Sequence, residues 1–176
     1  MAEVGIILGS DSDLPKIKEC FDILERFEIA FELIISSAHR TPEQTRQWVT
    51  TAPDRGIRVI IAAAGGAAHL PGVVASHTTL PVIGVPIETK ISGGLDSLLS
   101  IVQMPAGIPV ASMAVGAAGG QNAALFAVSI LSLVNPAYGG KLSRYRQDMA
   151  DTIKDKNEKI KKSGYKNYFK FPEGSA

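Results

Sequence analysis

Ser36-Ser37-Ala38-His39-Arg40-Thr41-Pro42 sets an imidazole beside a guanidinium immediately ahead of a helix-starting signal. Histidine gives and takes protons near neutral pH, and the planar fork of arginine pairs with phosphate or carboxylate through two parallel hydrogen bonds. Together they read as a proton carrier beside an anion anchor, a catalytic pairing as well as a binding one. Thr41 with Gln44 reads as a capping box, and Pro42 suits the first helical position. Phe31 to Ile35, just upstream, is short and apolar and reads as a strand, so His39 and Arg40 fall on a strand-to-helix turn. The competing readings are a structural histidine bonded to backbone and a solvated surface arginine. Their adjacency on such a turn favours the functional reading.

The elements that must position this turn repeat along the chain. Apolar strand-like runs at Val4–Leu8, Phe31–Ile35, Val59–Ala63, Pro81–Val85 and Pro109–Val115 alternate with helical periodicity. The helices are expected at Leu14–Phe27, Pro42–Asp54, shortly after His69, Asp96–Gln103 and Gln121–Leu133. In the first, Ile17, Phe21, Leu24 and Phe27 recur at three- and four-residue spacing and make one buried stripe. Strands apolar throughout, rather than alternating, belong to a sheet covered on both faces. The pattern predicts a three-layer α/β/α domain with a parallel sheet in the flavodoxin-like order 2-1-3-4-5. Residues 1–135 form this α/β domain, and 136–176 form a C-terminal helical arm.

The unusual residues gather after the strands. Gly9-Ser10-Asp11-Ser12-Asp13 follows the first, the His-Arg turn the second, Ala64-Gly65-Gly66-Ala67-Ala68-His69-Leu70-Pro71-Gly72 the third, Pro86 to Gly94 the fourth and Gly116 to Gly120 the fifth. All five loops are expected on one edge of the sheet, where open α/β folds place their crevice. The first loop has neither the GxGxxG nor the GK[ST] spacing of a dinucleotide or Walker loop. Its hydroxyls and backbone N–H groups suit a phosphate or a ribose. Asp13 reads either as a helix cap or as a ligand for ribose hydroxyls. The Gly65-Gly66 pair lets backbone approach a flat ligand closely. His69 shapes or closes the pocket, or caps its helix; His77 reads as a surface or helix-end residue.

Several function classes are excluded. The 176-residue chain carries a formal net charge of +1, so no strong field draws it to nucleic acid or an anionic membrane. No basic segment leads into an apolar signal core, and the apolar-rich stretch Ala123 to Val134 is too short to span a bilayer. These features predict a cytoplasmic protein. Cys20 is the only cysteine and falls on the apolar face of the first helix, so it reads as a buried thiol. Three scattered histidines without a carboxylate at ligand spacing make no metal site, and no Ser/His/Asp grouping or nucleophile elbow occurs.

With these residues assembled, the stretch from Val4 to Leu133 resembles the 5-(carboxyamino)imidazole ribonucleotide mutase family of purine biosynthesis. Gly9 to Asp13 is similar to its GSxSD loop, Ser37 to Pro42 to its SAHRTP motif, and Ala64 to Gly72 to its AGGAAHLPG loop. Asp96 to Pro105 resembles its DSLxSIVQMP segment, and Gly119 to Leu125 its AGxxNAAL helix start. The resemblance implies a cofactor-free shift of a carboxyl group from the exocyclic nitrogen of an aminoimidazole ribonucleotide to ring carbon C4. It implies that His39 both supplies a proton to nitrogen and removes one from C4, while Gly65 and Gly66 hold CO2. Ser10, Asp13 and Arg40 would anchor the ribose phosphate, and Ser12, Ser37, Ala67, His69 and Leu70 would line the pocket. Two departures are apolar exchanges: Leu14 where members often carry Trp, and Val73 where many carry Met. A sister class that carboxylates aminoimidazole ribonucleotide (AIR) directly with CO2 has Lys in place of Arg40 and a different third loop. A non-catalytic nucleotide or flavin module is a further alternative; it leaves His39 unexplained.

Beyond Pro136 the composition turns charged. Leu142, Tyr145, Met149 and Ile153 mark one apolar stripe on a helix, and Lys154 to Lys162 reads as its solvated end. Tyr165, Tyr168, Phe169 and Phe171 are dense for a free tail. The arm is therefore expected to pack on a neighbouring subunit, consistent with the octamers that the resemblance implies.

Overall fold

The computed structural model describes residues 1–168. The chain runs β1 (Val4–Leu8), a 3-10 segment (Asp11–Ile17) continuing into α1 (Lys18–Arg26), β2 (Phe31–Ile35), α2 (Pro42–Thr50), a 3-10 turn (Pro53–Arg55), β3 (Val59–Ala64), α3 (Leu70–Ser76), β4 (Val82–Pro86), α4 (Leu95–Val102), β5 (Ala111–Ser112), α5 (Ala117–Leu131), α6 (Pro136–Ser163) and α7 (Tyr165–Tyr168). All strand pairs are parallel, in the order β2-β1-β3-β4-β5. The α/β/α architecture and strand order are those expected. Phe169 and Phe171 lie outside the described residues.

Side chains alternate across a strand, so an apolar run feeds two cores. Ile6, Leu8, Ile61, Ala63 and Val85 point into a core closed by α1 and α5. Ile7, Ile60, Ala62 and Val82 point into a second, closed by Trp48 and Val49 of α2, Val74 of α3 and Ile101 of α4. β1, β3 and β4 are buried along their whole length. The edge strand β2 departs from the expectation: Leu33 and Ile35 are 40% and 43% exposed in the single chain. The fifth strand is two residues long rather than the seven of Pro109–Val115. Cys20 is buried as expected, and burial pushes its thiol up to about 12.

The register keeps the strand ends level, pairing Leu8 with Ile35 and Ala63, and Ala63 with Val85. The ladder runs one residue further: Gly9 N–H donates to Ala63 O at 3.3 Å, Ser36 N–H to Leu8 O at 2.9 Å, and Ile87 N–H to Ala64 O at 3.0 Å. Four loops therefore leave the sheet at one height. The fifth Gly-rich stretch does not: 117–120 lies inside the first turn of α5. Its glycines serve packing. A Cβ on Gly119 would sit 1.8 Å from the Ala114 carbonyl oxygen, and one on Gly120 3.0 Å from Cβ of Ile17.

α6 starts at an Asn135 cap whose Oδ1 accepts from Ala137 N–H at 3.2 Å. Its first turns pack on the chain's own body. The Tyr145 ring lies 5.7 Å from that of Phe27, its hydroxyl accepts from Gln121 Nε2 at 2.8 Å, and Lys141 donates to Phe27 O at 3.0 Å. Further along the same stripe Met149 and Ile153 are 55% and 59% exposed. No helix among the described residues is long and apolar enough to cross a membrane.

Candidate active site

The turn that displays His39 and Arg40 is built from hydroxyls. Thr41 Oγ1 accepts from Ser37 N–H at 2.9 Å and donates back to Ser37 O at 3.1 Å, while Ser37 Oγ accepts from Arg40 N–H at 3.2 Å. Ser36 Oγ, buried beneath, meets Thr41 Oγ1 at 3.1 Å and Thr45 Oγ1 at 2.8 Å. Thr41 holds the N-cap position of α2 and Pro42 its first turn, but the expected capping box does not form. The Thr41 hydroxyl is consumed by the turn behind it. Arg40 is tied across to the first loop, its Nη2 donating to Gly9 O at 3.1 Å. A guanidinium has five N–H donors, so most of the fork stays available.

In the first loop the cap is Ser10, whose Oγ accepts from Ser12 N–H at 3.3 Å and contacts Ser12 Oγ at 2.9 Å. Asp13 sits inside the 3-10 segment, so of its two readings the cap falls away and the carboxylate is free to face the pocket. It is buried, with Lys16 Nζ 3.9 Å from Oδ1. Burial pushes its carboxyl above the usual range, Lys16 pulls it back and Asp11 pushes it up again. The sign follows. With a raised value in the folded state, the ionised carboxylate costs stability at neutral pH, and that cost disappears as the pH falls below the unfolded carboxylate range. Asp13→Asn is therefore expected to raise the unfolding temperature at pH 7, with the gain shrinking toward pH 4. As the resemblance implies an Asp13 contact to the ribose phosphate, the same variant is expected to weaken ribonucleotide binding about tenfold or more, since hydrogen bonds to charged groups carry roughly 1.5–3 kcal/mol. Paired melting and titration curves check both.

The third loop brings the other histidine. His39 Nε2 lies 2.8 Å from His69 Nδ1, with the rings edge to face at 89° and 5.0 Å between centroids. His69 occupies the N-cap position of α3 but makes no side-chain cap bond. Its ring is turned to His39, which decides between the two readings of this residue. Gly66 needs its glycine for conformation, at φ 70°, and not for room.

These three loops line an open pocket of about 440 Å³, within the usual range for a small ligand. Of the expected residues, Ser10 and Asp13 line it from the first loop, and Ser37, His39 and Arg40 from the second. Gly65, Ala67, His69 and Leu70 line it from the third. Ser12 is not on its wall, being engaged within its own loop, nor is Gly66, which is turned toward α4. The sequence reading missed Gly9, Ala38 and Ala64 as wall residues. All three are small and stand inside the motifs quoted above, which is the signal that could have found them. A second hollow of about 350 Å³ shares Gly9, Ser10, Ser37 and Arg40 and extends past Asp11 and Thr41. The fourth and fifth loops line neither hollow in the single chain. The fourth backs the site instead: Lys16 Nζ donates to Glu88 O at 3.4 Å, and Ser97 of α4 bridges Ile87 O to the third loop. His77 ends α3, as expected. No group of three His, Cys, Asp or Glu among the described residues could hold a metal ion.

A parallel sheet that brings two imidazoles and a guanidinium to the wall of one pocket has the layout of an α/β enzyme. Residues 3–152 match the AIR carboxylase family, and the chain belongs to it. It is 55% identical over 165 residues to the N5-carboxyaminoimidazole ribonucleotide mutase of Pyrococcus horikoshii, covering 94% of this chain and 92% of that protein. It is 50% identical over 165 residues to the phosphoribosylaminoimidazole carboxylase of Schizosaccharomyces pombe, covering 94% of this chain and 30% of that longer protein. Among solved structures, Treponema denticola PurE is similar with a TM-score of 0.82 and 28% identity, covering 92% of this chain and 99% of that one.

Proposed function

We propose that the pocket binds 5-(carboxyamino)imidazole ribonucleotide and that His39 carries the protons for its isomerisation. The enzyme is a mutase of purine biosynthesis: it moves the carboxyl group from the exocyclic nitrogen to ring C4, giving 5-amino-4-imidazolecarboxylate ribonucleotide. The observation that carries the site reading is the 2.8 Å contact of His39 with His69, beside Arg40, on the wall of one pocket.

In this reading Arg40 and Ser10 hold the phosphate and Asp13 the ribose, which sets the imidazole against His39 and the Gly65-Gly66 loop. The carbamate N–C bond breaks, its electron pair stays on nitrogen, and His39 delivers a proton there. The CO2 released is held by the loop, and C4 attacks it. The C4 proton then passes to His39, so the catalyst ends as it began. One group serves both steps because they are opposite transfers by the same acid–base pair. Only one of two nitrogens facing each other at 2.8 Å carries a proton. With its Nδ1 unprotonated, His69 accepts from His39 Nε2 and holds the His39 ring in place. Keeping CO2 beside the ring turns a second encounter into an intramolecular step.

The test supplies the carboxyamino substrate without ATP and follows the C4-carboxylated product; turnover supports the reading. A protein that instead needs AIR and bicarbonate, and leaves the carbamate untouched, overturns it.

The arm belongs to the same proposal. Met149, Ile153 and Tyr165 are exposed on α6 and α7, as are Leu95, Leu99 and Val102 on α4, and clusters of exposed apolar side chains mark surfaces that partners cover. We take the neighbouring subunits of a homo-oligomer, expected as an octamer, to cover them. Removing the residues after Asn135 should reduce the molecular mass of the particle in solution as read by light scattering. An unchanged particle sinks the idea.

A further inference from the structure

Gly66 is gripped from behind on both sides of its residue. Its N–H donates to Ser97 Oγ at 2.9 Å, and its carbonyl lies 3.3 Å from Ser100 Oγ, which also donates to Asp96 O at 2.7 Å. Ser97 is completely buried, and its hydroxyl proton goes to Ile87 O at 2.8 Å. One hydroxyl thus joins the third loop, the end of β4 and the start of α4. None of this touches the pocket, and neither serine is among its wall residues.

We propose that Ser97, seconded by Ser100, is a positioning residue that fixes the orientation of the Gly65–Gly66 peptide. In a trans peptide the carbonyl and the N–H point in opposite directions. With Gly66 N–H held toward Ser97, the Gly65 carbonyl faces away from Ser97, and Gly65 itself is a wall residue of the pocket. A peptide flanked by two glycines has the least steric resistance to flipping, so an external hold is required. The orientation is relayed onward. Ala68 N–H donates to Gly66 O and His69 N–H to Ala67 O, both at 2.8 Å, so two tight turns carry it from Gly66 to the backbone of His69. The ring of His69 then meets His39. The serines therefore set both the wall against which CO2 is kept and the partner of the acid–base residue.

This inference rests on the mutase reading, and its consequence is commitment. With the loop loosened, the carbamate still loses CO2, but C4 recaptures it less often. The measurable quantity is the ratio of C4-carboxylated product to free AIR, corrected for spontaneous loss of CO2 from the substrate. In Ser97→Ala, loss of the hydroxyl leaves the buried Ile87 carbonyl and the half-buried Gly66 N–H short of a partner, and the ratio should fall about tenfold while KM stays within about twofold. Ser97→Thr, which keeps the hydroxyl, should restore most of it. Ser100→Ala should lower the ratio about two- to threefold, in line with its longer contact. A wild-type ratio in the alanine variants, or a loss appearing only as a raised KM, overturns the proposal. If Ser97→Ala does not fold, Ser100→Ala decides alone. Failure of the underlying reading looks different: the unmodified enzyme would then give no C4-carboxylated product.

Discussion

His39→Asn should eliminate turnover while the ribonucleotide still binds. Asparagine matches part of the imidazole's shape and one hydrogen bond but cannot accept and return a proton. A positioned acid or base contributes about 10²–10⁴-fold, and here one group is asked to act twice, so a loss of at least ~10³-fold in kcat is expected. His39 stands exposed on its turn, and the hydroxyl network that shapes that turn runs through Ser36, Ser37, Thr41 and Thr45 without it. Stability should therefore change by no more than about 0.5 kcal/mol. Product-ribonucleotide affinity measured by calorimetry should stay within about threefold of the original, since Arg40, Ser10 and Asp13 are the residues proposed to hold phosphate and ribose. Near-normal turnover would remove His39 from the acid–base role. A large loss of affinity would make it a binding residue instead.

Arg40→Ala should produce the opposite signature: KM up by about 10²-fold with kcat changed only several-fold. The guanidinium is anchored by one N–H on Gly9 O, and that bond aims the rest of the fork between the first and second loops. Anion binding made there is shared by ground state and transition state, so its loss appears as weakened binding and not as slower chemistry. Arg40→Lys should recover only part of the affinity, because an ammonium supplies charge without the planar two-point geometry. The site is open to solvent, so the original affinity should weaken as salt rises and the alanine variant should be less sensitive. Steady-state kinetics across a salt series reads all three effects. A kcat collapse at unchanged KM would mean that Arg40 acts in the chemistry.

Much of this was legible in the residues, and the parts that were not share a cause. β1 and β2 occupy the spans read from the chain, and β3 and β4 fall within a residue of them, because each strand is short, apolar and bounded by polar or small residues. The His-Arg turn was legible because a strand-like run and a helix signal bracket it. Thr41 carried the right residue type for a cap, yet its hydroxyl folds back onto Ser37; sequence spacing does not say which of two nearby partners a hydroxyl takes. Gly119 and Gly120 read as a loop because glycine marks turns, whereas here it permits helix α5 to press against the Ala114 carbonyl and Ile17. That is a tertiary reason, invisible to local pattern. The His39–His69 contact spans thirty positions and two loops, so only the sheet that levels their strands could bring it together. Ser97 belonged to a quoted motif without a role, and the role proposed for it rests on its hydrogen bond from Gly66, a contact between the third loop and α4.

In the proposed reaction the carboxyl carbon stays with its own substrate molecule while His39 moves the protons. It is tested most directly with carboxyamino substrate labelled with ¹³C in the carboxyl group, in unlabelled bicarbonate and without ATP, with the C4 carboxylate followed by NMR. Label is expected in the product at the full rate of turnover, with no product from the His39→Asn enzyme. Product carrying unlabelled carbon, or labelled product formed equally well by His39→Asn, would contradict it.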